Sequence, residues 1–336
     1  MHVMSGPTAG LVLFVACSAA ASGCGGGTQS STSAGDRRAH ELRRRAAVPA
    51  RPGPLRARVQ TVLSSPVQLP AAAILPGGRL LAMGGLDSTD VSASSIVEVV
   101  GSQERTIGQL PQPIHDAAAV TLGRRAYVFG GGTGESGSDS ITAVDSAGGA
   151  TPAGLLPVPA SDVGAAVIGR TAYVVGGYTG SAPLRTIVAF RPGGGARVVG
   201  RLPVALRYAA VAAVNGRLLI AGGTSGVTAQ RAVYSFDPTA GTVTHIGDLP
   251  RALTHAAGAS LNGSFYVIGG RSDSDTGQSS FIRAVDPRTG RVYSAGRLPG
   301  PLSDAAAVDD GFRIYVVGGR DTSGVRGEVL VLEPAG

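Results

Sequence analysis

Short apolar runs that end in a pair of glycines recur six times along the chain, with polar loops between them. The first glycines of the pairs are Gly84, Gly130, Gly176, Gly222, Gly269 and Gly318. Successive pairs lie 46 to 49 residues apart. Apolar runs of this kind, bounded by glycine and proline, are typical of buried β-strands. A repeat of this period indicates an architecture in which each unit buries its faces against its neighbours.

Other features keep the same phase and divide each unit into four strands. A Leu-Pro pair such as Leu110-Pro111 precedes a strand rich in Ala and Val, and a polar loop after the glycines leads to a third apolar strand. Asp-Pro followed by glycine, as at Asp237-Pro238, predicts the hairpin to a fourth strand. The glycine pair permits positive φ or a close backbone approach where the second strand ends. We expect the apolar strands to be buried on both faces.

The two ends of the repeat region complement each other. The last unit reaches Glu333-Pro334 after its third strand, and the segment 56–63 lies 46 residues ahead of a fourth strand at 102–109. We therefore expect the N-terminal strand to complete the last blade, which closes a ring and removes an exposed sheet edge. The predicted fold class is all-β, a six-bladed β-propeller of four-stranded blades.

These features resemble the Kelch family. The resemblance rests on Tyr-Val before the glycine pair, as at Tyr127-Val128, together with the period, the Asp-Pro-x-x-Gly turn and the Leu-Pro pair. It covers residues 57–336 and implies Kelch-like blades, with a binding face built by the loops that enter the first strand and follow the second. The chain departs from the family in one respect, because the family usually places a Trp on the fourth strand and this chain has none.

Positive charge is concentrated in one short segment. The formal net charge is +7, but residues 25–58 contain eight arginines and only two acidic residues, so the rest of the chain is nearly neutral. A nucleic-acid-binding domain carries its positive charge on its own surface. The sequence therefore predicts no nucleic-acid partner, and the high isoelectric point reflects a basic tether.

The N-terminal region has the pattern of an export signal. Residues 9–21 form an apolar run that is too short to span a bilayer but fits the core of a signal peptide. The run ends in Ala21-Ser22-Gly23-Cys24, which resembles a bacterial lipobox and implies lipidation of Cys24. We predict a signal peptide over 1–24, a flexible basic Gly/Ser/Arg/Pro linker over 25–56, and the propeller over 57–336. The expected location is extracytoplasmic, as a cell-membrane lipoprotein, with free secretion as the alternative.

Candidate binding residues lie just before the first strand of each unit, where the resemblance places a shared rim. They are His115, Asp116, Asp162, Arg207, Tyr208, His255 and Asp304. Further candidates for the same face follow the glycine pairs: Asp87, Tyr178, Arg271, Asp273, Arg320 and Asp321. Polar groups that converge on a concave mouth indicate a ligand site. The alternative is structural, because Asp and Ser before a strand also stabilise turns.

We expect a binding protein that presents one propeller face to an unknown protein or glycan, and we expect it to be a monomer. Metal and cofactor are not predicted, because the spacing of the candidate ligands does not require a metal. The alternative is a carbohydrate-active isomerase of the sialic-acid mutarotase kind that uses the rim Asp and His residues as acid and base. A copper-radical oxidase of similar fold is excluded, because its cofactor needs a cysteine and this chain has none after Cys24.

Overall fold

The structure is a computed structural model that describes residues 52–134, 136–226, 228–273 and 277–335. The predicted signal peptide, most of the predicted linker and Cys24 lie outside these residues. The described residues form strands, turns and loops with no helix among them, and they accordingly contain no helical segment suited to crossing a membrane.

Twenty-eight strands are present in the described residues. The closing strand is β1 (Leu55–Val62), and the first blade contains β2 (Ala71–Leu75), β3 (Arg79–Met83), β4 (Ser95–Val100) and β5 (Gln103–Gln109). The second blade contains β6 (Ala118–Leu122), β7 (Arg125–Phe129), the short hairpin of β8 (Gly132–Thr133) and β9 (Ser136–Gly137), β10 (Ser140–Val144) and β11 (Ala150–Leu155). The third blade contains β12 (Gly164–Ile168), β13 (Thr171–Val175), β14 (Thr186–Arg191) and β15 (Gly195–Arg201).

The remaining blades follow the same plan. The fourth contains β16 (Ala210–Val214), β17 (Arg217–Ala221), β18 (Ala232–Asp237) and β19 (Thr242–Asp248). The fifth contains β20 (Ala257–Leu261), β21 (Ser264–Ile268), β22 (Phe281–Val285) and β23 (Val292–Arg297). The last contains β24 (Ala306–Asp309), β25 (Ile314–Val317), the short hairpin of β26 (Arg320–Asp321) and β27 (Gly324–Val325), and β28 (Glu328–Pro334).

Each blade is a four-stranded antiparallel sheet, and the last one is completed by the N-terminal strand. Its strand order is β1-β28-β25-β24, with Leu55 opposite Pro334 and Val62 opposite Glu328. The Ala335 N–H donates to the Pro54 carbonyl at 2.9 Å just beyond this pairing. The predicted six-bladed, all-β propeller and its closure are confirmed, and the closing strand begins at Leu55.

The hydrophobic core lies between neighbouring blades. Phe129 of the second blade and Phe190 of the third are fully buried, with ring centroids 5.5 Å apart in an edge-to-face contact. Their cluster is one of six that bury the facing sides of adjacent sheets. Burial on both faces holds for second strands such as β13 but not for fourth strands such as β15, which is half exposed because it forms the outer edge.

Fourth strands approach the next blade very closely at a glycine, except at Gly154, where a Cβ would lie 3.7 Å from its nearest neighbour. Each of five carries a glycine at or beside a register shift: Gly108, Gly154, Gly200, Gly247 and Gly296. A Cβ at Gly108 would lie 2.2 Å from the carbonyl oxygen of Gly148 in the next blade. A side chain at Gly108 therefore has no room unless the backbone moves.

The first strands surround a central channel. Each contacts the first strand of the next blade, and β24 contacts β2 to close the circle. Side chains line the channel in three layers, which we call the mouth ring, the middle layer and the far ring. The mouth ring is Leu69, Asp116, Asp162, Tyr208, His255 and Asp304. The middle layer is Ala72, Ala119, Ala165, Val211, Gly258 and Ala307, and the far ring is Ile74, Thr121, Val167, Ala213, Ser260 and Asp309.

Candidate functional site

The mouth ring is held by a closed circle of backbone hydrogen bonds. Each ring residue donates its N–H to the carbonyl of the ring residue one blade earlier, at 2.7 to 3.2 Å, and the Leu69 N–H closes the circle on Asp304. All six residues have φ between 55° and 60°, in the left-handed region. This conformation turns each N–H and C=O along the circle, so the backbone fixes the position of six side chains around one opening.

The mouth ring contains no glycine, although its backbone conformation favours that residue. Among other residues the left-handed region is enriched in Asp and His and is unusual for bulky residues such as Leu69 and Tyr208. The chain contains 52 glycines and places none of them at these six positions. Strained residues of this kind persist at functional sites. The ring therefore retains its side chains at a conformational cost that glycine would remove.

One half of the mouth is organised around Arg207. Its guanidinium forms an ion pair with Asp162 and lies 4.0 Å from the ring centroid of Tyr178. Arg207 Nη2 donates to the Tyr208 hydroxyl at 3.0 Å, and that hydroxyl lies 3.4 Å from Asp116 Oδ2. Because Asp116 is two blades away from Tyr208, the tyrosine side chain extends across part of the opening.

The other half is organised around His255. Its ring stacks on Tyr208 with centroids 3.6 Å apart and planes inclined by 26°. Arg271 Nη2 lies 3.1 Å from His255 Nε2, and Thr254 Oγ1 lies 3.1 Å from Nδ1. Asp304 Oδ1 is 3.8 Å from His255 Nε2. The two halves therefore join through the Tyr208–His255 stack into one network.

Ser and Thr beside the ring residues were not among the predicted site residues. Ser303 donates to the Asp304 carboxylate, and Ser92 Oγ lies 2.8 Å from His115 Nδ1. The signal for Ser303 is its position directly before a ring residue, a place that Thr254 shares. Ser92 comes from the loop after β3, so only the fold shows its role.

Burial shifts the pKa values of the Asp and His side chains in the mouth ring. It raises the pKa of Asp116 well above its usual range, and the nearby carboxylates of Asp162 and Asp304 raise it further. Burial also raises the pKa of Asp162, against the opposing effect of Arg207, and the pKa of Asp304. It lowers the pKa of His255 to about 2, with contributions from Arg271 and Arg207. His255 is therefore neutral, and the carboxyls bind protons more readily than exposed ones.

The mouth encloses a cavity of about 140 Å³. Five of the seven predicted site residues line it: Asp116, Asp162, Tyr208, His255 and Asp304. The other two support that lining, because His115 Nε2 is 3.8 Å from Asp116 Oδ2 and Arg207 pairs with Asp162. All seven predicted residues thus meet at one place. Their role as ligand-binding residues stays a prediction.

The candidates that follow the glycine pairs fall into two sets, one at the mouth and one in separate loops. Tyr178 and Arg271 contact mouth residues as described above, and the charge of Arg320 acts on Asp304. Asp87 instead closes its own loop by accepting from the Thr89 and Val91 N–H groups. Asp321 pairs with Arg326, and Asp273 accepts from the Ala229 N–H. Across the described ranges, no cluster of three or more His, Cys, Asp or Glu residues is arranged to hold a metal ion.

Comparison with known protein families agrees with the fold. The profile of the Kelch motif matches residues 205–250, which span Arg207, Tyr208 and all four strands of the fourth blade. No curated protein matches the chain. The motif match and the six four-stranded blades together support a Kelch-repeat β-propeller, a scaffold suited to protein binding.

Proposed function

We propose that this Kelch-repeat propeller is an exported, membrane-anchored binding protein whose mouth face receives a partner. The observation that carries the proposal is the mouth ring, where six side chains occupy a backbone conformation that favours glycine. Binding residues are commonly placed on loops that a rigid scaffold positions. The closed circle of hydrogen bonds and the interblade core supply that rigidity.

A protein partner fits the mouth better than a free glycan. The cavity of about 140 Å³ is below the volume of roughly 300 Å³ at which small-molecule pockets begin. Glycan sites need exposed aromatic faces, and the rings of Tyr178 and Tyr208 are already stacked against Arg207 and His255. A single side chain of a partner, presented on a larger contact surface, matches the size of the opening.

A displayed peptide library and a glycan array, each probed with the full chain, test the binding role of the mouth. The test variant is Asp162→Ala with His255→Ala, and the matched control is Asp248→Ala with His245→Ala, which removes the same residue types from exposed positions on the outer strand β19. We expect bound sequences to be lost by the test variant and kept by the control. Equal binding by both variants, each shown by circular dichroism to be folded under the assay conditions, would remove the mouth from the proposal.

Export and anchoring rest on the sequence of residues 1–24 and have a separate test. Cells grown with labelled palmitate should incorporate label into the wild-type chain and none into a Cys24→Ser variant. Unlabelled wild-type protein in the culture medium would support free secretion instead. This result is independent of the peptide and glycan experiments.

An isomerase is the second candidate, because the mouth places buried carboxyls of raised pKa beside a neutral histidine. Shifted groups of this kind are typical of acid–base sites. The cavity volume counts against it, since Tyr208 would have to leave the mouth to admit a sugar. NMR exchange spectroscopy of sialic acid anomers decides the matter: a faster exchange with wild type than with Asp304→Asn would support catalysis, and equal rates would exclude this activity.

A further inference from the structure

The far end of the channel forms a second cavity, which meets the mouth cavity at the middle layer. Its volume is about 290 Å³, close to the lower limit of small-molecule pockets. The far ring and the middle layer line it with mostly small apolar side chains of Ala, Val and Gly. Thr121 is turned to the wall, because its hydroxyl donates to the Ile74 carbonyl at 2.7 Å.

Asp309 is the charged residue of this cavity, the sole one among its described lining residues. It accepts hydrogen bonds from the Ser260 hydroxyl and the Gly311 N–H, both at 3.2 Å. No ion pair to Asp309 occurs in the part of the chain that the structure describes, whereas its neighbour Asp310 pairs with Arg313 at 3.7 Å. Burial, together with the charge of Asp310, raises the pKa of Asp309. The cavity thus has a carboxyl group without a counter-charge.

The internal repeat shows that Asp309 is an exception. Counted from the start of the first strand, the same position holds Ile74, Thr121, Val167, Ala213 and Ser260 in the other blades. The far ring therefore has uncharged side chains at five of its six positions. A partly buried carboxylate costs free energy unless it is paired. The bond from the Gly311 N–H supports the hairpin that follows Asp309, whereas the other five blades form this hairpin without a carboxylate at the same position. Departures from a repeated pattern are expected where a protein has a function to perform.

We propose that the far cavity binds a small organic cation, with its ammonium group at Asp309 and Ser260 and its apolar part against the walls of the channel. The ammonium group supplies the counter-charge that Asp309 lacks, and N–H donors form strong hydrogen bonds to carboxylates. The aliphatic walls formed by Val167, Ala213 and Ala259 bury the apolar part. The polar residues of this site differ from those of the mouth face, although the two cavities share the middle layer.

NMR titration of the full chain, labelled at Ala, Ile and Val methyl groups, tests the site with three probes of similar size. The probes are n-butylammonium, n-butyrate and 1-pentanol. We expect n-butylammonium to shift the methyl signals of Ile74, Val167 and Ala213, and to bind at least about tenfold more tightly than the other two, since a charge-assisted hydrogen bond distinguishes it.

Two variants test the role of the residues themselves. Asp309→Asn should weaken n-butylammonium binding about tenfold or more, while Asp248→Asn, at an exposed aspartate of the outer strand β19, should leave it unchanged. Ala213→Phe keeps Asp309 but fills the cavity, and it should abolish binding. Unmoved far-ring methyl signals, equal affinity for butyrate or pentanol, or wild-type affinity in either Asp309→Asn or Ala213→Phe would overturn the proposal.

Discussion

The close contact between the fourth strand of one blade and the outer hairpin of the next gives a quantitative prediction. Gly108 in β5 and Gly148 in the hairpin before β11 touch through their backbones. A Cβ at Gly108 would lie 2.2 Å from the Gly148 oxygen, and a Cβ at Gly148 would lie 2.2 Å from the Ile107 oxygen. Only Gly148 also has positive φ, at 87°. The two positions therefore separate the effect of contact from that of conformation.

Four Gly→Ala substitutions, at Gly300, Gly101, Gly108 and Gly148, compare the two effects on the free energy of unfolding. Gly300 has neither a close neighbour nor positive φ, and Gly101 has a φ of 61° with no atom within 4 Å of its Cβ. We expect Gly300→Ala to change the free energy of unfolding by less than about 0.5 kcal/mol, and Gly101→Ala to lower it by about 1 to 2 kcal/mol. Gly108→Ala should lower it by about 1 to 3 kcal/mol, because ordinary contact begins at 3.4 Å and backbone must move by roughly 1.2 Å.

Gly148→Ala combines both effects and should cost about 2 to 5 kcal/mol, a large share of a typical stability of 5 to 15 kcal/mol. The assay is urea unfolding followed by circular dichroism, with the slope of the transition compared among variants to check that the same cooperative unit unfolds. A Gly108→Ala midpoint equal to that of Gly300→Ala would show that the outer rims of the blades are not in tight contact and would refute the reasoning.

Two further predictions concern the mouth. The folded pKa of Asp116 lies above its unfolded value of about 3.9, so this group favours the folded state at low pH and opposes it once the pH rises through the folded pKa. Asp116→Asn should therefore raise the urea midpoint at pH 7.5, with the gain vanishing near pH 4; a gain that grows on acidification would contradict this sign. Arg207→Met leaves the buried Asp162 carboxylate without its partner and should cost about 3 kcal/mol at pH 7.5. Adding Asp162→Asn to Arg207→Met should recover most of that loss, and an equal loss in the single and double variants would show that the ion pair does not account for it.

The repeat pattern was enough to predict the blades, because each depends on local features that recur. The glycine pairs, Leu-Pro and Asp-Pro mark the ends of strands, and the unmatched fourth strand could complete only the last blade. The repeated glycine on the fourth strand, as at Gly108 and Gly247, was also present in the sequence. Its reason is a contact with a glycine of the next blade, Gly148 for Gly108 and Gly290 for Gly247, which lie 40 and 43 residues further along the chain. Periodicity alone does not show this contact.

The mouth residues could be predicted by position but not by conformation. Counting from the start of each first strand brought together Asp116, Asp162 and His255, because equivalent positions in a closed ring face one opening. The left-handed conformation did not follow, since Leu69 and Tyr208 are poor candidates for positive φ. The contact of Tyr208 with Asp116 across the channel could not be predicted either, because it depends on the channel width rather than on local sequence.

The three layers of the channel show why chemistry is confined to its ends. In the middle layer, a Cβ at Gly258 would lie 2.5 Å from the Val211 backbone nitrogen, so this position has no space for a side chain, and the other five blades have only Ala or Val there. The mouth residues lie just before the first strands. Their circle of hydrogen bonds joins backbone groups only, so it does not depend on which side chains are present. At the far ring, the strands splay toward the hairpins, and Thr121, Ser260 and Asp309 are accommodated. A propeller of this kind can therefore change one side chain per blade at either end without disturbing the packing between blades, which makes the mouth ring and Asp309 independent sites of variation.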